Sequence, residues 1–320
     1  MSIGKKIFCG LLAVTLAGLS ACSADEPPRI PVFEYAEQSG DVNEEKSALS
    51  ERSYDYFGKI GSAGELKGTT LLISIFASDA KTSWDFDSKE DYSTYCWAYS
   101  DIGIAAEWIT ESAAPYSNAS FVWDWVENPD LVYFTETEYD VPAVFETGTN
   151  TDLVNTYECF WEYIDTHIPT EKLMKKYGAD NVVYLALFDS PAEQTRTSCT
   201  RNWADASWMS YPYEVSYFFM HSCGSLTAPA SFAHEILHCF GAPDLYLHRE
   251  YGITEEYVQW AMEQKTNDIM RVTFDNMDGH TRYYDHISNE LTDITLYYLG
   301  LTDYSETVEK WGFEKNQHSG

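Results

Sequence analysis

Basic side chains are scarce in this chain: 20 Lys and Arg stand against 51 Asp and Glu in 320 residues, a formal charge of −31 at neutral pH. A surface of that sign repels phosphate backbones and anionic lipid, so no nucleic-acid partner is expected. It disfavours acidic substrates, and it fits either attraction of basic peptides or simple solubility. Long apolar runs are also missing. Residues 7–19 are apolar but too short to span a bilayer comfortably, and no other stretch is longer and as apolar. Cysteine numbers seven, too few and too scattered for a disulfide scaffold. No repeat at solenoid periods is present, which excludes stacked-repeat architectures. What the chain does have is 44% hydrophobic residues, enough for a sizeable core, and 16% aromatics, which either fill that core or line a contact surface.

The N-terminus carries an address. Lys5 and Lys6 precede the apolar run, which ends in small residues. Leu19-Ser20-Ala21-Cys22 resembles a bacterial lipobox, which implies a signal peptide over 1–22 and lipidation at Cys22; a plain secretory signal cleaved near Ala21 is the alternative. The expected location is therefore the bacterial cell surface, with the chain anchored in the membrane by lipid. Residues 23–53 hold Pro27, Pro28, Pro31 and an acidic run, and read as a flexible tether. Setting aside Cys9 and Cys22 leaves Cys96, Cys159, Cys199, Cys223 and Cys239; Cys199 and Cys223 are close enough in sequence to pair.

Chemistry concentrates in one stretch, Ser231-Phe-Ala-His-Glu-Ile-Leu-His-Cys-Phe-Gly-Ala-Pro-Asp-Leu-Tyr246. His234 and His238 are four apart, one turn above each other on a helix, and can offer two imidazole nitrogens to one ion. Glu235, beside the first ligand, can take a proton from a water at that ion. Gly241 stops the helix, and Asp244 can return as a third, oxygen ligand. H-E-x-x-H arises by chance at roughly 1 in 100 in such a chain, and adding Gly and Asp at these offsets lowers that below roughly 1 in 10,000. A packed helix with merely hydrogen-bonded histidines explains Phe232, Ile236, Leu237 and Phe240, but not two His and a Glu.

His234-Glu235-x-x-His238-x-x-Gly241-x-x-Asp244 resembles the metzincin zinc peptidases in their aspartate-ligand form, shared by snapalysin-type enzymes. The Gly-Ala-Pro-Asp-Leu-Tyr run is similar to immune-inhibitor-A-type secreted peptidases. The resemblance implies a zinc ion on His234, His238 and Asp244, with Glu235 as catalytic base. It implies an α/β (α+β) fold with a mixed twisted sheet, two backing helices, an active-site helix and a smaller irregular C-terminal part. It also implies a Met-containing turn beneath the metal, for which Met270 is the first candidate and Met277 the second; the tyrosine that some metzincins place after this Met is absent, since Thr273 and Phe274 follow.

Along the chain, the catalytic domain is expected over 54–304, its upper part reaching about 241 and its lower part 242–304, with a polar peripheral tail at 305–320. Buried strands are expected at 69–77 and 182–188, from near-continuous apolar, β-branched runs. Further strands are expected at 120–125, 131–134 and 214–221. The resemblance implies that the strand at 214–221 is a sheet edge that pairs with an extended substrate; an interior strand is the alternative. Helices are expected at 92–112, at 152–177 with Asp152 as cap and a break at Pro169, at 254–263 and at 289–299. Asp85, Asp87, Glu90 and Asp91 read as a solvated loop, lacking the glycine of a calcium loop. Ser225 or Thr227 can cap the metal helix, with Pro229 in its first turn. His221 reads as a polar strand end and Cys239 as a core residue. Glu290, in Asn289-Glu290-x-x-Asp293, is an alternative third ligand of the kind thermolysin-type enzymes use.

The expected protein is thus a monomeric zinc metallopeptidase cutting peptide or protein substrates, with substrate-binding residues unassigned. The alternatives are a non-catalytic surface lipoprotein that binds glycan or peptide, with zinc structural and its fourth position closed by His248, His280 or His286, and a zinc amidase acting on cell-wall peptide.

Overall fold

Strand β1 (Thr69–Ser78) is the axis of a six-stranded sheet. The computed structural model describes residues 61–191, 199–201, 214–222, 224–246, 252–277 and 280–314. The signal peptide, Cys22, the tether, Cys223 and His248 lie outside the described residues, as does the side chain of Cys199.

One side of β1 takes two strands in succession: β2 (Ser120–Val122) pairs with Thr69–Leu71 and β3 (Val132–Glu136) with Ser74–Ser78. The other side pairs with β4 (Asn181–Phe188), and β4 with β6 (Val215–Phe219). All of these pairings are parallel. The short β5 (Cys199–Arg201) closes the outer side of β6 and runs antiparallel to it. Parallel strands bury both faces, which is why β1, β4 and β6 read as apolar runs without alternation.

Helices cover both faces, and the strand period of two decides which residues meet which helix. In β6, Phe218 stacks on Phe232 of α5 (Pro229–His238), with ring centroids 4.2 Å apart, while Tyr217 meets Phe145 of α2 (Val141–Thr147) at 4.9 Å and Phe160 of α3 (Asn150–His167) at 5.2 Å. Phe76 of β1 lies in the same cross-strand row as Leu187 and Phe218. It packs on Tyr95 of α1 (Lys89–Ala113), so α1 and α5 share one face. Helix α4 (Thr170–Tyr177) lies with α2 and α3 on the other, where Thr170 bonds Tyr184 Oη at 2.7 Å. The aromatic residues fill these two layers: Trp84, Phe86, Trp125 and Phe134 surround Phe76 within 6 Å.

Several local expectations change. The strand before the metal helix is interior, because β5 supplies its outer neighbour. Helix 152–177 breaks at Ile168–Pro169 as expected, but its cap is Thr149; Asp152 is the third helical residue and accepts the Thr149 amide at 2.9 Å in a capping box. Helix α1 begins at Lys89, three residues early, since Ser88 caps it. After α5 come α6 (Glu255–Glu263), α7 (Asp293–Tyr298) and α8 (Glu306–Trp311). Helix α7 starts later than expected, because the backbone of Glu290 pairs with Asn267 and Ile269. The tail from 305 is not peripheral as far as Glu314. The carboxylate of Asp293 accepts Ser305 Oγ at 2.6 Å and the Thr307 amide at 2.9 Å, and Val308 and Phe313 are buried. No described helix is long and apolar enough to cross a membrane.

Candidate metal centre

Helix α5 carries the motif. Pro229 opens it as expected, but Ala228 is its cap and makes no side-chain bond; Thr227 instead donates its hydroxyl to the Phe219 carbonyl at 2.6 Å. Phe232, Ile236 and Leu237 seat the helix in the core, which turns His234 and His238 to one side, ring centroids 4.6 Å apart. The helix ends at His238. Gly241, at φ 90°, takes the left-handed turn, and the chain doubles back through Ala242 and Pro243 to Asp244.

That reversal brings three donor atoms together. Nε2 of His234 and Nε2 of His238 are 3.1 Å apart, and each is 3.2 Å from Oδ1 of Asp244. Donors at about 2.0–2.1 Å from one tetrahedral ion stand about 3.3–3.4 Å from each other, so this triangle has the size of one zinc coordination face. The tautomers agree. Nδ1 of His234 faces the Ile269 carbonyl at 2.8 Å, and Nδ1 of His238 faces the Ala242 carbonyl at 2.7 Å. A carbonyl only accepts, so both Nδ1 atoms carry hydrogen, and in the neutral rings both Nε2 atoms present lone pairs. Oδ1 of Asp244 is buried with no other hydrogen-bond donor among the described residues. Three lone-pair atoms at these separations repel one another unless a cation lies among them.

A proton is the smallest such cation. Burial disfavours the charged imidazole of His238, but the Asp244 carboxylate outweighs it, with Glu235 and the Ala242 carbonyl adding, and pushes the pKa up to about 10. Burial likewise works to raise Asp244, but the two imidazoles hold it well below the usual carboxylate range. A metal must therefore displace a proton. Between pH 7 and 9, binding of Zn²⁺ is expected to release about one proton, and apparent affinity to rise about tenfold per pH unit until His238 titrates. Calorimetry in buffers of different ionisation enthalpy counts that proton; none released at pH 8 would contradict this account.

Glu235 is buried beside His234 on the same helix, and its backbone carbonyl accepts Ser216 Oγ at 3.3 Å. Cys239 is fully buried, with Sγ 3.6 Å from Ser216 Oγ, and takes no part in the donor set. Met270 is fully buried in a turn below the site, and its carbonyl accepts the amide of Leu245, next to Asp244, at 2.9 Å; Met277 is 68% exposed. Glu290 is exposed and outside the cluster. Neither His280, against Phe274, nor His286, paired with Asp285 at 2.7 Å, belongs to it. The acidic residues at 85–91 form no such cluster either: Asp91 accepts the Asp85 amide, and Ser88 caps α1.

Two features escaped the sequence reading. Tyr246, half-exposed two residues after Asp244, lies with its ring 6.2 Å from that of His234 and nearly parallel to it, and so walls the site. The Asp-x-Tyr spacing was its only signal. The other is Gly61, at φ 73°, which lies against the end of α5; a Cβ there would collide with the Cys239 carbonyl and stand 2.6 Å from the Gly241 amide. Ala63 donates its amide to that same carbonyl at 2.9 Å. Gly61→Ala is expected to cost about 1–3 kcal/mol from backbone strain alone, read as a lower urea midpoint; an unchanged midpoint would remove this contact from the fold.

No family model matches the chain, and no curated protein matches it significantly in sequence.

Proposed function

We propose that this chain is a zinc-dependent endopeptidase of metzincin type, carried on the outer surface of a bacterial cell by lipid at Cys22. The observation that carries the reading is the donor triangle: two imidazole Nε2 atoms and one carboxylate oxygen, 3.1–3.2 Å apart and, among the described residues, made by three side chains. Three protein ligands are the number that a catalytic zinc takes, whereas structural sites take four. A zinc ion held by His234, His238 and Asp244 would supply Lewis acidity toward a carbonyl and lower the pKa of water.

The protein's own groups do the rest. Ile269 and Ala242 carbonyls fix both rings and their tautomers. Glu235, on the same helix turn, accepts the proton of the attacking water and returns it to the leaving amine. A backbone-pairing mode for the substrate would need a free strand side, and among the described strands β5 is the outermost next to α5, so we assign it the role first expected of the 214–221 strand. The sequence demand on the substrate is then low.

The test is zinc analysis of the purified chain together with cleavage of a mixed peptide library. Stoichiometric zinc with internal peptide-bond cleavage is expected. Zinc without cleavage would favour the surface-binding lipoprotein, and cleavage confined to cell-wall peptides would favour the amidase.

A further inference from the structure

One buried carboxylate stands behind the donor triangle without touching it. Asp268 is 1% exposed. It accepts the Met270 amide at 2.7 Å, and from the start of α7 the Thr292 amide at 2.9 Å, the Thr292 hydroxyl at 2.6 Å and the Thr295 hydroxyl at 2.8 Å. Its backbone carbonyl accepts the amides of Arg271 and Val272, which closes the turn.

The Met270 amide and the Ile269 carbonyl belong to the same peptide unit. That unit is planar and trans, so fixing the direction of its N–H fixes the opposite direction of its C=O. The N–H points to Asp268, and the C=O receives Nδ1–H of His234 at 2.8 Å. The next carbonyl along, that of Met270, receives the amide of Leu245, the neighbour of Asp244. A carboxylate on the amide end also draws electron density toward the carbonyl end, because hydrogen bonds in a chain polarise one another. A stronger acceptor at Nδ1–H makes Nε2 the better donor.

We infer that Asp268 is a positioning residue that orients and polarises His234 through the Ile269–Met270 peptide, a relay running carboxylate, peptide, imidazole. It rests on the metal reading above. Thr292 and Thr295 hold the carboxylate from its far side, so they tune the relay without entering it.

Two variants and three measurements test it. Asp268→Asn keeps the shape but removes the charge and sets one NH₂ group against the donors of α7. Thr295→Val removes one hydroxyl at nearly constant volume. Co²⁺ affinity, the ¹⁵N resonances of His234 in the metal-free chain and urea unfolding are read for each. Asp268→Asn is expected to unfold cooperatively, to bind Co²⁺ about 10–100-fold more weakly, and to lose population of the Nδ1–H tautomer of His234. Thr295→Val is expected to move both readouts the same way by a smaller factor, and it decides the matter if Asp268→Asn does not fold. Unchanged Co²⁺ affinity with unchanged His234 resonances, in whichever variant is folded, would overturn the relay. Wild type that fails to bind Co²⁺ while its His234 resonances still respond to Asp268→Asn would sink the metal reading and leave the relay standing.

Discussion

Glu235→Gln is expected to lower peptide hydrolysis by about 10²–10⁴-fold, the usual worth of a positioned proton acceptor, while zinc content stays at the wild-type level. The separation of those two outcomes follows from geometry. Glu235 is adjacent to His234 and buried with it, but the three atoms of the donor triangle belong to His234, His238 and Asp244. Glutamine keeps the volume and the helix propensity, so α5 stays seated on Phe218 through Phe232. What glutamine lacks is basicity: its amide cannot take a proton from water near neutral pH, nor hand one to a departing amine. Removing the Glu235 charge also removes one of the influences that raise the His238 pKa. The metal-free variant should therefore give up its competing proton slightly more readily, and zinc affinity should hold or rise. A fluorogenic peptide assay with parallel elemental analysis reads both quantities. A variant within tenfold of wild-type activity would take the proton-transfer role away from Glu235, and a metal-free variant would make Glu235 a structural member of the site.

Asp244→Ala carries the second large effect. It takes away one of three donors and leaves two bare Nε2 atoms 3.1 Å apart with no carboxylate to draw a cation between them. The fall in zinc affinity should exceed the 10–100-fold typical of groups that only orient a ligand, and hydrolysis should fall with it. The imidazole of His238 loses the partner that outweighs its burial, so its pKa should move down from about 10. Glu290→Ala is the matched control. Its carboxylate is exposed, and its contribution to the region is backbone pairing with Asn267 and Ile269, which alanine preserves. Zinc titration against a chelating dye distinguishes the two. Zinc loss in the Glu290 variant with retention in the Asp244 variant would transfer the third-ligand role.

The donor set was legible because its spacing is local. Four residues on a helix fix His234 over His238, and a glycine with a short return fixes Asp244, whatever surrounds them. Strands β1 and β4 were legible because burial on both faces leaves unbroken apolar runs. Features that depend on distant partners were not legible. Thr227 looked like a helix cap until the Phe219 carbonyl claimed its hydroxyl. Asp152 looked like a cap because Thr149 and Asp152 bond reciprocally and either reads as the boundary. Helix α2 was not anticipated; its residues 141–147 are too few for a helical period to show, and Asp140 caps it. The strand at 214–221 could not be placed inside or at the rim without knowing that Cys199–Arg201 pair beside it. Asp268 gave no sign of its role, since the threonines that hold it lie 24 and 27 residues further on.

The pairing of β1 has a consequence for how the molecule comes into being. Its neighbours start at Ser120, Val132 and Asn181, all parallel to it, so no tight hairpin can start the sheet. Long loops must close before any of these ladders gains a hydrogen bond, which makes assembly slow and leaves apolar strand edges bare meanwhile. Helix α5 docks on β6, whose parallel neighbour β4 is also β1's, so that helix gains its seat in the core only once most of the sheet exists.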